Sequence, residues 1–345
     1  VDFPLVRRYD ASEREDDAAA ELREYVASLE IESPFIVTSV HGKGLAAAFA
    51  GSESHETPAA GADQQWASGL GSRAHRAGAD AIVAIGGGRC LDVAKLAAAR
   101  AGLTLVAVPT QLSHDGICSP VAVVPGDDGR AESIGAIAPR AVFVSVPTLV
   151  GAPAASAAAG LGDLLANPLA LRDWSLAAER GLDRLDQRAW DLSVESFQLV
   201  ERDLDHTPDA RDPEYLARLA DALVLSGLAM IVSGTSRPAS GGEHEISHAI
   251  DEGFGGRALH GAQVAFGCIV SLALYDEDPA PFRGRLRRLG LPDHPRKLDM
   301  TEDDTVKVVL DAPDTRPGRF TILEHSDLDE PGARALVRRI WSDDD

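Results

Sequence analysis

Cysteine is scarce, with only Cys90, Cys118 and Cys268 in 345 residues, an odd number without C-x-x-C spacing. A disulfide framework and a thiolate metal site are therefore not expected, and a reducing cytoplasm is the expected location. Lysine is almost missing: Lys43, Lys95, Lys297 and Lys307 stand alone among 33 basic residues, against 54 acidic ones, for a formal net charge of −21. Such a balance opposes attraction to nucleic acid or anionic lipid, so neither is an expected partner. No apolar run reaches the roughly 18 residues of a membrane helix, and the first residues lack a basic-then-apolar signal pattern. Membrane insertion is not expected.

What remains is a chain 45% hydrophobic and long enough for two domains. An amphipathic stretch from about Ala11 to Leu29 precedes the apolar run Phe35 to Val40, and a helical pattern from Gln64 to Ala77 precedes Ala81 to Ile85. Leu91 to Ala101 reads as a helix, Leu105 to Val108 and Ala141 to Val146 as buried strands. Short apolar runs alternating with helices predict an α/β half, 1–150, with a mainly parallel sheet covered on both faces. Beyond Pro147 the segments 156–171, 173–206, 213–234 and 258–275 are alanine- and leucine-rich, and predict a helical half, 151–345. The acidic last residues are expected to fray.

Two features carry chemistry. Ile85 is followed by Gly86-Gly87-Gly88-Arg89-Cys90 between a strand and a helix, where bare backbone N–H groups can receive a pyrophosphate. An ordinary tight turn is the alternative, and the loop Pro109 to Pro120, rich in hydroxyls and carrying Asp115, favours the nucleotide. Further on, three of the ten histidines fall within seventeen residues. On a helix over 242–252, His244 and His248 share a face and His260 joins from the next element, a pattern suited to metal. His244-Glu245-Ile246-Ser247-His248 also spells H-E-x-x-H, the zinc-protease string, although Asp251 and Phe254 break its extended form.

These stretches together resemble the sn-glycerol-1-phosphate dehydrogenase family, within the iron-containing alcohol dehydrogenase and dehydroquinate synthase superfamily. The resemblance rests on Gly86-Gly87-Gly88 with Asp92 to Lys95, Ser113 to Ile117 with Ser119-Pro120, Gly162 to Ala166, Asp173-Trp174 and Leu225 to Gly227. It continues through Ser236 to Gly241, Glu243-His244, Ser247 to Ala249, His260-Gly261 and Arg316 to Leu323. It implies a dinucleotide-binding domain, a helical metal-binding domain and one zinc per subunit on Asp163, His244 and His260. Asp115, Asp163 and His248 are then the catalytic, substrate-contacting residues. Gly86, Gly87, Gly88, Arg89, Cys90, Thr110, Gln111, Leu112, Ser113 and Ser119 contact NAD or NADP.

The implied reaction is reduction of dihydroxyacetone phosphate to sn-glycerol 1-phosphate, a phospholipid precursor, or of a close ketose or aldehyde phosphate, in a homo-oligomer of two or more subunits. The proton for the alkoxide would be relayed either by His248 or by a metal-bound water. Ala262 and Asn167-Pro168 depart from the family's usual wording. The rivals are a sugar-phosphate cyclase of the dehydroquinate synthase type, which four lysines disfavour, a zinc protease resting on the H-E-I-S-H string alone, and a degenerate, non-catalytic paralogue.

Overall fold

The computed structural model describes residues 3–10, 15–58, 62–126, 129 and 131–341. Residues 11–14 of the first amphipathic stretch and the acidic tail, 342–345, lie outside the described residues. The first part of the chain runs β1 (Leu5–Tyr9), α1 (Glu15–Ser28), β2 (Pro34–Thr38), α2 (Lys43–Ala46), β3 (Ser54–Glu56), α3 (Gln64–Arg76), β4 (Ala81–Gly86), α4 (Gly88–Ala101) and β5 (Thr104–Pro109). A hairpin, β6 (Val121–Pro125) and β7 (Ala131–Gly135), follows, and then β8 (Ala141–Ser145).

Six strands form one parallel sheet in the order β1-β8-β5-β4-β2-β3. β4 is buried along its whole length, and its side chains alternate: Ile82 and Ala84 enter one apolar cluster, Ala81, Val83 and Ile85 the other. That two-sided burial explains why the central strands read as unbroken apolar runs. Register pairs Gly86 with Pro109 at the carboxyl ends of β4 and β5, which sets the triple-glycine turn beside the Pro109–Pro120 loop. Ligands of open parallel sheets bind at such an end.

From Val146 onward every regular element among the described residues is helical: α5 (Val146–Val150), α6 (Ala154–Leu164), α7 (Asn167–Glu179), α8 (Gln187–Glu201), α9 (Pro213–Ser233), α10 (Gly242–Phe254), α11 (His260–Leu274), α12 (Ala280–Arg288), α13 (Glu302–Asp311), α14 (Ile322–Ser326) and α15 (Glu330–Trp341). One continuous apolar cluster joins sheet residues such as Val142 to helical ones such as Leu219 and Ile269. By length and composition α9 could cross a membrane, contrary to the reading that no segment does. Its Arg218 and Asp221 pair with Asp203 and Arg8, and Leu216, Leu219 and Leu223 are buried, which fits a core helix. The three cysteines are buried and unpaired.

Candidate active site

Asp163 lies at the end of α6, His244 in the first turn of α10, and His260 opens α11. One donor atom from each converges, all within 4.8 Å of one another. His244 Nε2 is 3.6 Å and His260 Nε2 3.7 Å from Asp163 Oδ1. Donors sharing a tetrahedral ion at ~2.1 Å stand roughly 3.4 Å apart, so this spacing suits one common cation. Asp163 Oδ1 is buried with no hydrogen-bond partner, while Oδ2 accepts the Asp115 N–H at 2.9 Å. An orphaned carboxylate oxygen facing two imidazoles is costly in a dry interior, and a cation would complete its shell.

Glycines next to the three donors explain how their helices come so close. A Cβ on Gly162 would stand 2.6 Å from the Gly261 carbonyl, one on Gly261 2.0 Å from that of Ala159, and one on Gly267 2.3 Å from that of Glu243. α6, α10 and α11 therefore touch backbone to backbone, and the side chains following or preceding each contact meet.

Glu243, fully buried, accepts from Gly241 N–H at 2.5 Å and bonds His244 Nδ1 at 2.9 Å. That carboxylate fixes the ring so that Nε2 faces Asp163, the usual second partner of a metal-bound histidine. Asp173 holds the start of α10 in turn, accepting from Gly242 and Ile322 N–H and from the Tyr275 hydroxyl. Burial drives the His244 ring down in pKa, but the Asp163 and Glu243 carboxylates facing its two nitrogens overcome it and lift it to about 9. Burial prevails at His260, against the Asp163 charge, and takes it down to about 3. Burial also opposes the Asp163 charge, yet the facing His244 and His260 hold that carboxyl below its ordinary range. The pocket thus stabilises positive charge at its centre and keeps one imidazole free as a donor.

Asp115 sits beside this centre, its Oδ2 accepting from Ser226 Oγ at 2.8 Å; Ser226 Oγ in turn accepts from Asn167 Nδ2 at 3.3 Å. Asn167 is therefore a support for Asp115, and the Pro168 that follows it sits in the first turn of α7. Burial and the Asp163 charge push the Asp115 carboxyl up to about 7. His248 is set one step away, its ring 6.3 Å from that of His260 and its Nε2 3.2 Å from an Arg316 nitrogen. Burial and the Arg316 charge hold it well below the usual histidine range, hence neutral.

The H-E-x-x-H reading fails here. Glu245 is turned to the Thr321 hydroxyl at 2.9 Å, buried, and pushed up to about 8 by burial and the Glu324 charge, while His248 stands outside the converging donors. A protease needs both histidines on the metal and the glutamate on its water.

At the sheet end, Gly87 caps α4, and Gly88 begins it. A Cβ on Gly87 would lie 2.8 Å from Gln111 Nε2, so Gln111 borders the turn, whereas Arg89 is exposed. Thr110, Ser113 and Ser119 are buried, and the Thr110 N–H bonds the Gly86 carbonyl at 3.0 Å. Cys90 and Leu112 put their side chains in the apolar core, so their contribution to a ligand is backbone. His114 is the residue that sequence reasoning passed over: its ring stands edge-on to His260 at 5.8 Å, and its Nε2 lies 2.2 Å from where a Gly88 Cβ would be. It spans from metal centre to glycine turn, and its place next to Asp115 was the available signal.

Over residues 14–153 the chain matches the family model of iron-containing alcohol dehydrogenases. The fold is shared by a probable glycerol dehydrogenase from Sinorhizobium meliloti 1021, at a TM-score of 0.77 with 21% identity, over 99% of this chain and 96% of that one. A sulfoacetaldehyde reductase from Bifidobacterium kashiwanohense, solved with NAD+, aligns over 100% and 98% with a TM-score of 0.68 and 15% identity. More specifically, the chain belongs to the glycerol-1-phosphate dehydrogenase family. It is 38% identical to the NAD(P)+ enzyme of that name from Cenarchaeum symbiosum (strain A) over 256 residues, 74% of this chain and 71% of the relative. Its identity to the Hyperthermus butylicus enzyme is 37%, over 74% and 73% of the two chains.

Proposed function

We propose that this chain reduces dihydroxyacetone phosphate to sn-glycerol 1-phosphate with NADH or NADPH, at one divalent cation, zinc, held by Asp163, His244 and His260. The observation that carries the reading is the convergence of those donors beside the triple-glycine turn, in a member of this family. A cation held there would supply Lewis-acid polarisation of the ketone, and a reduced nicotinamide would supply the hydride.

The chain's own groups do the rest. Three protein donors leave coordination positions open to substrate oxygens. Gly86, Gly87, Gly88, Arg89 and Cys90 offer the pyrophosphate their N–H groups, and Thr110, Gln111, Leu112, Ser113 and Ser119 line the nicotinamide side. Asp115, aimed by Ser226, accepts a hydrogen bond from the substrate. His248, kept neutral, orients the same molecule from the other flank. We divide the chain at residue 150, after the last strand, and place it in the cytoplasm, where three free thiols are stable. A homo-oligomer is our reading of its assembly, supported by the exposed Leu5 and Val6 on the open sheet edge.

Nicotinamide absorbance with dihydroxyacetone phosphate tests the reaction. Turnover should vanish with chelator and return with zinc. Absence of turnover with this and every other ketose or aldehyde phosphate would refute it.

A further inference from the structure

Four histidines stand around the metal centre, and one of them, His114, takes no part in the converging donor set. Its backbone is extended and its side chain caps the short 3-10 turn Asp115–Ile117, with Nδ1 accepting the Gly116 N–H at 3.0 Å. A ring nitrogen that accepts carries no proton, so the single N–H of this imidazole is on Nε2. Among the described residues nothing accepts from that Nε2–H. The residue is only partly buried, which leaves the donor within reach of a ligand.

Two glycines from different elements make room for the ring. A Cβ on Gly116 would lie 2.3 Å from its Nδ1 and Cε1, and one on Gly88 would lie 2.2 Å from its Nε2. Gly116 thus lets the turn close on Nδ1, and Gly88 admits Nε2 to the first turn of α4. On another side the ring meets His260 edge-on, with centroids 5.8 Å apart. The unpaired N–H groups at the start of α4 and the Nε2–H are all donors, a set that suits an anion.

We infer that His114 Nε2–H donates to the cofactor pyrophosphate, at the phosphate on the nicotinamide side, and so fixes the nicotinamide half with respect to the metal centre. This inference rests on the proposed reduction with a nicotinamide cofactor. The order along the cofactor follows from the neighbours of the three glycines. A Cβ on Gly86 would stand 3.1 Å from Ser39 Cβ, one on Gly87 would meet Gln111, and one on Gly88 would meet His114. Ser39 belongs to the loop after β2, whereas His114 touches the metal donor His260. The Gly88 end of the turn therefore faces the metal, and the adenosine half belongs at the Gly86 end. One imidazole ties the phosphate turn to the metal centre, with its tautomer set by Gly116.

The test uses the full-length, zinc-loaded protein and two variants: His114→Phe, which keeps a ring but removes both nitrogens, and the conservative His114→Gln, whose amide nitrogen reaches the place of Nε2. NADH, ADP and AMP are titrated calorimetrically, and bound zinc is measured in each protein. A hydrogen bond to a charged acceptor is worth about ten- to a hundredfold, so His114→Phe should lose about that factor in affinity for NADH and ADP. Its affinity for AMP, which has only the adenosine-side phosphate, should stay, and so should its zinc. His114→Gln should recover part of the loss, and it decides the matter if His114→Phe does not fold. Wild-type affinity for NADH and ADP in the variants would overturn the proposal. So would an equal loss for AMP, which would mark a general disturbance of the glycine turn, or a loss confined to NADH, which would assign the N–H to the nicotinamide or its ribose. Loss of zinc would make the ring a prop for His260 and overturn it as well. Histidine-dependent binding of NADH and ADP in a protein that reduces no ketone phosphate would instead overturn the reaction and leave the phosphate contact standing.

Discussion

Two of the three proposed metal donors, His244 and Asp163, are each held by a group behind them. Glu243 holds His244 through Nδ1, and the Asp115 N–H occupies the second oxygen of Asp163, leaving Oδ1 to face the two rings. Removal of such a supporting group costs about ten- to a hundredfold in metal affinity. Glu243→Gln should therefore weaken zinc binding by that factor while keeping the fold, and His260→Ala should lose the metal outright. Metal analysis after dialysis against a competing chelator reads both. Full occupancy in His260→Ala would remove that residue from the ligand set. The sequence displayed the three donors and the string Glu243-His244, yet not the role of Glu243, because a buried glutamate beside a histidine reads as a surface charge until the helix is packed.

At the scale of elements, the site is a product of close helix contacts. Gly267 faces the Glu243 carbonyl so tightly that a methyl group would overlap it at 2.3 Å. Gly267→Ala should push α11 from α10, destabilise the protein by about 1–3 kcal/mol, and weaken metal binding in the same variant. Denaturant unfolding with and without zinc checks this; wild-type stability would show that the helices separate freely. On the sheet side, a Cβ at Gly87 meets the Gln111 side chain from Cγ to Nε2, a flexible side chain rather than backbone. Gly87→Val should accordingly fold, retain metal, and bind NADH weakly by calorimetric titration, because bulk at the helix N-terminus keeps a pyrophosphate away. Wild-type affinity would place the cofactor elsewhere.

The same elements show what the sequence could and could not convey. β2, β4, β5 and β8 were legible because both faces are buried and their runs are apolar. β1 was not, since Leu5–Tyr9 sits on the edge, carries Arg7 and Arg8, and is held by its register with β8. β3, three residues long, and the β6–β7 hairpin likewise owe their form to pairing rather than to their own hydrophobicity. The alanine- and leucine-rich segment 156–171 spans parts of two helices, parted before Pro168, which cannot continue an interior turn. Within the segment 173–206 the first helix ends before Gly181, with φ of 71°, and the next starts on the Asp186 cap. Alanine-rich composition masked both signals.

For the whole molecule, charge governs the response to pH. Burial and the Glu243 charge lift the Asp173 carboxyl to about 7, and burial with Glu324 lifts Glu245 to about 8. Both bind a proton more tightly folded than unfolded, where their pKa is about 4. The stability they lend is complete below that value and is lost as pH rises through 7 to 8. Asp293 acts oppositely: burial resists its charge, but Lys297 and Arg287 hold its carboxyl low, so its contribution is lost as pH falls through that low value. The net charge of −21 adds self-repulsion on the alkaline side. Thermal unfolding should show a higher Tm near pH 6 than near pH 8.5, and Glu245→Gln should flatten that slope. A Tm that climbs across the interval would contradict the assignment of buried, proton-binding carboxyls.

Reaction, metal and cofactor come together in one product. The most direct measurement is the configuration of the glycerol phosphate formed from dihydroxyacetone phosphate and NADH, by chiral analysis, with metal-loaded and chelator-stripped protein side by side. The account predicts sn-glycerol 1-phosphate from the loaded protein and none from the stripped one. Formation of sn-glycerol 3-phosphate, or equal turnover without metal, would contradict it.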